Sequence, residues 1–183
     1  IGFSAIGQGD GLLIYPKLNI DDGSVKGAKI TIVKNGKAIE SFTNEKKPEY
    51  ILEYGANYII KFEKPGYVTK KIAINTKIPT ELASEGFSYG FNVTLFKQYE
   101  GINTTFFNQP VGKIFFDPDL DDFGYDTDYT ESIQSALQDA MDQVEQAKEK
   151  EEQQLAEEAR AKEEAAAAEA NAAAEAEKKA AEE

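Results

Sequence analysis

The chain has 183 residues, 41 % of them hydrophobic and 29 % charged, with a formal net charge of −13 and neither histidine nor cysteine. Those two absences exclude serine–histidine triads, cysteine nucleophiles, zinc fingers and disulfide frameworks. The acidic balance argues against nucleic acid or an anionic membrane as partner, since both select clustered Lys and Arg.

Residues 1–10 are small and Gly-rich and read as an N-terminal arm, either frayed or free to add a strand to a neighbouring sheet. The first residue is Ile rather than Met, which fits a processed N-terminus such as one left by a cleaved signal peptide. Residues 11–116 read as β structure. Alternation is clearest in Ala28–Ile32, Tyr58–Phe62 and Phe87–Leu95, where period two puts one face on a core and the other in water. Weaker strands are expected at Leu12–Ile14, Ile39–Phe42, Tyr50–Leu52, Lys70–Ile74 and Val111–Phe116. Turn signals separate them, and Asn35-Gly36 is the strongest, because a type I′ turn needs positive φ at both central residues. Seven or eight short strands at this spacing predict an antiparallel β-sandwich.

Residues 117–127 form an acidic connector, and the pattern then changes. Asp128 stands where an N-cap is wanted, with Glu131 three residues on, in the manner of a capping box. Ile133, Leu137, Ala140, Met141, Val144 and Ala147 recur at helical spacing, so residues 128–183 are expected to form one long helix. After Leu155 the apolar stripe is alanine only, the residue with the best helix propensity. Fully helical, this segment would reach roughly 80 Å at 1.5 Å per residue, the length of a stalk or coiled coil. All 9 Tyr and 11 Phe lie between Phe3 and Tyr129, whereas 16 acidic and 6 basic residues fall from Thr130 onward. No apolar run approaches the roughly 20 residues of a membrane-spanning helix.

Two stretches carry a resemblance. Asp22-Gly23-Ser24-Val25-Lys26-Gly27-Ala28-Lys29-Ile30-Thr31-Ile32 resembles the opening of a carboxypeptidase regulatory-like domain, a prealbumin-like β-sandwich with a Gly-Ala-x-Val-x-Val pattern. The stretch from Gly55 through Tyr58 to Pro65-Gly66-Tyr67 is similar to the family's Gly-x-Tyr-x-Val and Gly-Tyr signature. The likeness covers about residues 13–74. In place of the family's Thr-Asp-x-x-Gly turn the chain has Thr43-Asn44-Glu45-Lys46-Lys47, without the glycine, so a looser or longer turn is expected there. Such domains are non-catalytic accessory modules of envelope and secreted proteins in Bacteroidota-type bacteria. The resemblance implies a location and an architecture, and brings no catalytic residues.

The candidate sites follow from the same reading. Asp117, Asp119, Asp121 and Asp128 fall at positions 1, 3, 5 and 12 of a calcium-type loop, where hard oxygen ligands can converge on Ca²⁺. Asp122 takes the place of the usual turn glycine, and the plainer reading is a solvated connector whose acids favour the following helix end. No cofactor is expected beyond that ion. Tyr54, Tyr67, Tyr89 and Tyr99 offer a glycan-stacking platform or, more simply, sheet packing. A carboxylate-only enzyme needs two acids in one cleft, and nothing in the spacing places such a pair, so no enzyme is expected. Ile133, Leu137, Met141 and Val144 form the apolar helix face available for self-association. The function expected is a structural or interaction subunit of a bacterial cell envelope, surface appendage or extracellular filament. It would be a homo-oligomer or filament, with other envelope proteins as further partners. The competing readings are a Ca²⁺-dependent or glycan-binding accessory module on a helical spacer, and a periplasmic segment of an envelope-spanning machine.

Overall fold

The computed structural model describes residues 11–181, with side chains to residue 174. The arm expected over residues 1–10 lies outside the described residues. The chain divides into two compact units, Ile1–Met141 and Asp142–Glu183.

Among the described residues the first unit holds the start of the long helix and nine strands: β1 (Gly11–Ile20), β2 (Lys29–Lys34), β3 (Lys37–Thr43), β4 (Tyr50–Glu53), β5 (Asn57–Glu63), β6 (Lys70–Asn75), β7 (Phe87–Leu95), β8 (Gly112–Asp117) and β9 (Asp122–Tyr125). They form a three-stranded sheet in the order β4-β1-β7 and a six-stranded sheet in the order β3-β2-β5-β6-β8-β9. Both sheets are mixed rather than antiparallel. β1 runs parallel to β7 from Leu12↔Phe87 to Ile20↔Leu95, and β6 runs parallel to β8 from Ile72↔Gly112 to Ile74↔Ile114. After β6 the chain leaves its sheet, lays β7 on the other, and returns as β8 beside the strand it left. A long excursion of this kind is what parallel neighbours require, whereas a tight hairpin makes antiparallel ones.

Alternation decides the core. Ile30 and Ile32 of β2, Tyr58, Ile60 and Phe62 of β5, and Ile72 and Ile74 of β6 are buried in one cluster with Leu12, Ile14 and Leu18 of β1 and Phe91, Val93 and Leu95 of β7. Phe62 meets Phe91 edge to face at 6.3 Å, joining the two sheets. Phe87 meets Phe116 at 5.5 Å and Phe123 at 5.7 Å in the same manner. Offset and T-shaped pairs are the favoured aromatic arrangements, worth about 0.5–1.5 kcal/mol beyond area burial.

Local chemistry sets the corners. Asn35 and Gly36 have φ of 48° and 82°, as a type I′ hairpin demands, and the register slips between Ile32 and Val33, leaving Ile39 as an exposed extra residue on β3. The glycine-less turn after β3 is tied rather than loose. Asn44 takes the left-handed φ of 62°, its amide donates to the Ala28 carbonyl at 2.9 Å, and its Oδ1 accepts from the Gly27 N–H at 2.6 Å. Asparagine is one of the few residues besides glycine that adopts this backbone readily.

The segment read as a connector also folds into the sheet. β9 pairs with β8 from Ile114↔Tyr125 to Asp117↔Asp122 and buries Phe123. Helix α1 (Thr127–Ala181) follows, with its cap two residues earlier than expected. The Asp126 Oδ1 accepts from the Tyr129 N–H at 2.8 Å, and the Asp126 carbonyl receives the first helical bond, from Thr130 at 3.0 Å. Because β9 ends at Tyr125, Asp126 is the first acidic side chain able to turn back onto free helical N–H groups.

Candidate functional site

The acidic residues divide between two ends of β9. Asp117, Asp119 and Asp121 share the β8–β9 turn, where the Asp117 Oδ1 accepts from the Asp119 N–H at 2.9 Å and Asp121 has a φ of 54°. Asp128 lies in the first turn of α1, beyond β9, a strand spanning about 13 Å at 3.3 Å per residue. Among the described residues no three or more Asp or Glu side chains gather where they could hold a metal ion.

The helical stripe is partly buried. Ile133, Ala140 and Val144 are buried and Leu137 is half-buried, while Met141 is 37 % exposed. From residue 152 to 174 every side chain is exposed, with Leu155 at 59 %. Between the cap and this stretch Tyr129 anchors the helix start: its hydroxyl donates to the Pro110 carbonyl at 2.6 Å, and the Lys113 Nζ sits 3.8 Å over its ring.

The four tyrosines read as a platform have separate surroundings. Tyr54 packs edge to face on Phe87 and donates to the Glu85 carbonyl at 2.8 Å. The Tyr67 hydroxyl reaches the Asp22 carbonyl at 3.5 Å, Tyr89 meets Tyr125, and Tyr99 lies under the Lys97 Nζ. The more exposed rings are Tyr15, at 45 %, and Tyr125, at 40 %, and the Tyr15 ring lies across Gly90 so closely that a Cβ there would come within 2.0 Å of it.

One basic side chain faces inward. β6 alternates Lys70, Ile72 and Ile74 toward the core, and Lys70 pairs in register with the fully buried Phe62. The Lys70 Nζ lies 4.7 Å from the Phe96 ring centroid and 5.8 Å from that of Phe107, both rings buried. Loss of water around the ammonium lowers its pKa to about 8. Its neighbour Lys71, on the opposite face, donates to the Asn108 carbonyl at 2.8 Å. Beside Lys70 opens a cleft of about 420 Å³, bounded by β6, the start of β8, the free edge of β7 and the first turn of α1. Tyr125 stands at its wall, and burial pushes that phenol up to about 12, so it stays protonated at neutral pH. Lys70 was legible as a strand residue; only its place in the alternation with Ile72 and Ile74 signalled that it turns inward.

A larger depression of about 570 Å³ lies on the other face of the six-stranded sheet, over Val33, Ile59, Ala73 and Phe115. Its floor is apolar, and its charged members, Lys113 and Asp126, are already engaged by Tyr129.

No protein-family model matches the chain, and no curated protein matches its sequence. Among the described residues no helix is long and apolar enough to cross a membrane.

Proposed function

We propose that this chain is a non-catalytic structural or interaction subunit of a bacterial cell envelope, surface appendage or extracellular filament. Its head is a prealbumin-like β-sandwich of the carboxypeptidase regulatory-like kind, and its long Ala/Glu-rich helix associates with copies of itself. The observation that carries this reading is the helix from residue 152 to 174, whose side chains are all exposed. Most helices in proteins are held by burying one face, and propensity alone is a weak support. Alanine lets this segment stay helical unaided, and its small side chains allow a second helix to approach closely. Leu155 within this segment and Met141 before it are large apolar side chains left open on the helix. The sheet edges support the same reading: β3 is exposed along nearly its whole length, with Lys37, Glu40 and the bulge at Ile39 limiting which strands can pair with it.

The chain lacks cysteine, so a single introduced thiol reports on helix association directly. Leu155→Cys is expected to oxidise to a covalent dimer well ahead of Lys77→Cys, an exposed control in the head. Equal rates for the two variants would remove the helix from the association surface.

A further inference from the structure

We propose that the cleft beside Lys70 binds a small monocarboxylate with an apolar body, the carboxylate pairing with the Lys70 ammonium. Among the described residues no hydrogen bond or ion pair engages that ammonium, whose contacts are the faces of Phe96 and Phe107. Lys34 and Lys61, by comparison, pair with Glu53 and Glu63. A charge withdrawn from water without an opposite charge is costly, and an anion entering beside it removes that cost and gains a charge-assisted contact.

The walls define the rest of the ligand. Ile72, Val93 and Val111 line the cleft and suit an alkyl or aryl body; Thr94 and Thr130 border it too, the Thr130 hydroxyl donating to the Asp126 carbonyl at 2.8 Å. The single ammonium matches one negative charge rather than a phosphate dianion, which draws on several donors. The first turn of α1 opens into the same space, and its positive dipole end favours an anion there. Glu131 also borders the cleft, and its carboxylate opposes an acidic ligand. The desolvated state of Lys70, about 8 in pKa, agrees with this geometry, because at neutral pH the side chain is still mainly charged and short of an anion.

The test is titration of the full chain, ¹⁵N-labelled, with hexanoate and benzoate, using hexanamide and benzamide as neutral counterparts. Saturable amide shifts are expected at Lys70, Thr94, Gly112 and Thr130, with each acid binding about tenfold tighter than its amide. Lys70→Met should remove that advantage and leave amide binding unchanged. Glu131→Gln should tighten the acids and not the amides. Should Lys70→Met fail to fold, the acid-to-amide ratio and the Glu131→Gln response on the otherwise unaltered chain decide the matter. The proposal is overturned by acids and amides binding alike, by acids that bind Lys70→Met as well as the unaltered chain, or by no saturable shift at those four amides.

Discussion

Thr76 and Thr31 both carry a hydroxyl into the buried part of the head, and the same substitution is expected to move stability in opposite directions at the two sites. The Thr76 Oγ1 donates to the Glu53 carbonyl at 2.7 Å and accepts from the Ala56 N–H at 3.1 Å, fastening the β4–β5 corner to the end of β6. Thr76→Val keeps the shape but strands the Ala56 N–H and leaves the Glu53 carbonyl only the longer bond from the Tyr58 hydroxyl, 3.3 Å, at a cost of about 1–3 kcal/mol. The Thr31 Oγ1 is buried without a hydrogen-bond partner among the described residues, so Thr31→Val should be neutral or stabilising. Urea melts of the two variants check both signs. Lys70 supplies a pH signature. Its folded pKa is about 8 against an ordinary 10.5, so below pH 8 the folded chain carries the full desolvation cost, of order 3 kcal/mol at most. Between those values the folded chain releases its proton while the unfolded chain keeps it, and stability rises with pH. Compared with Lys70→Met, the unaltered chain should therefore be less stable at pH 7 and recover ground between pH 8 and 10. Parallel stability curves for the two would contradict the burial of the ammonium.

At the scale of elements, the helix start separates two readings of one acidic run. Asp126→Ala removes the acceptor of the Tyr129 N–H and should cost about 1 kcal/mol, whereas Asp128→Ala loses only a few tenths from the helix dipole; thermal melts distinguish them. The sequence favoured Asp128 because Glu131 completes a capping box there, and nothing local revealed that β9 would deliver Asp126 first. β9 itself is four residues long, with Phe123 its one buried side chain, too short for alternation to register. The longer strands were legible because Ile30, Ile32, Ile60, Phe62, Phe91 and Val93 each repeat the period of two, and Asn35-Gly36 announced its hairpin through the conformations only such residues adopt readily. Neighbours and directions were not legible. Alternation says which face is buried and nothing about which strand lies alongside, so the parallel pairs β1–β7 and β6–β8 emerge only from the tertiary crossing. The calcium spacing of Asp117, Asp119, Asp121 and Asp128 presumed one continuous loop, and β9 interrupts it.

At the scale of the molecule, composition separates an aromatic head from an alanine-rich helix near residue 128, whereas the boundary between the two compact units falls after Met141, within the helix. The helical stripe was legible as a stripe; that Ile133 and Ala140 are buried while Met141 and Leu155 stay open was not, because periodicity gives a face and not its partner. We propose that this open helix and the sheet edges make the chain self-associate. Light-scattering mass across a concentration series, with and without a chelator, tests it most directly. Defined oligomers or filaments built from the 20.2 kDa chain, growing with concentration and indifferent to chelator, are expected. A single species of 20.2 kDa at every concentration, or an assembly that collapses when divalent ions are removed, would contradict it.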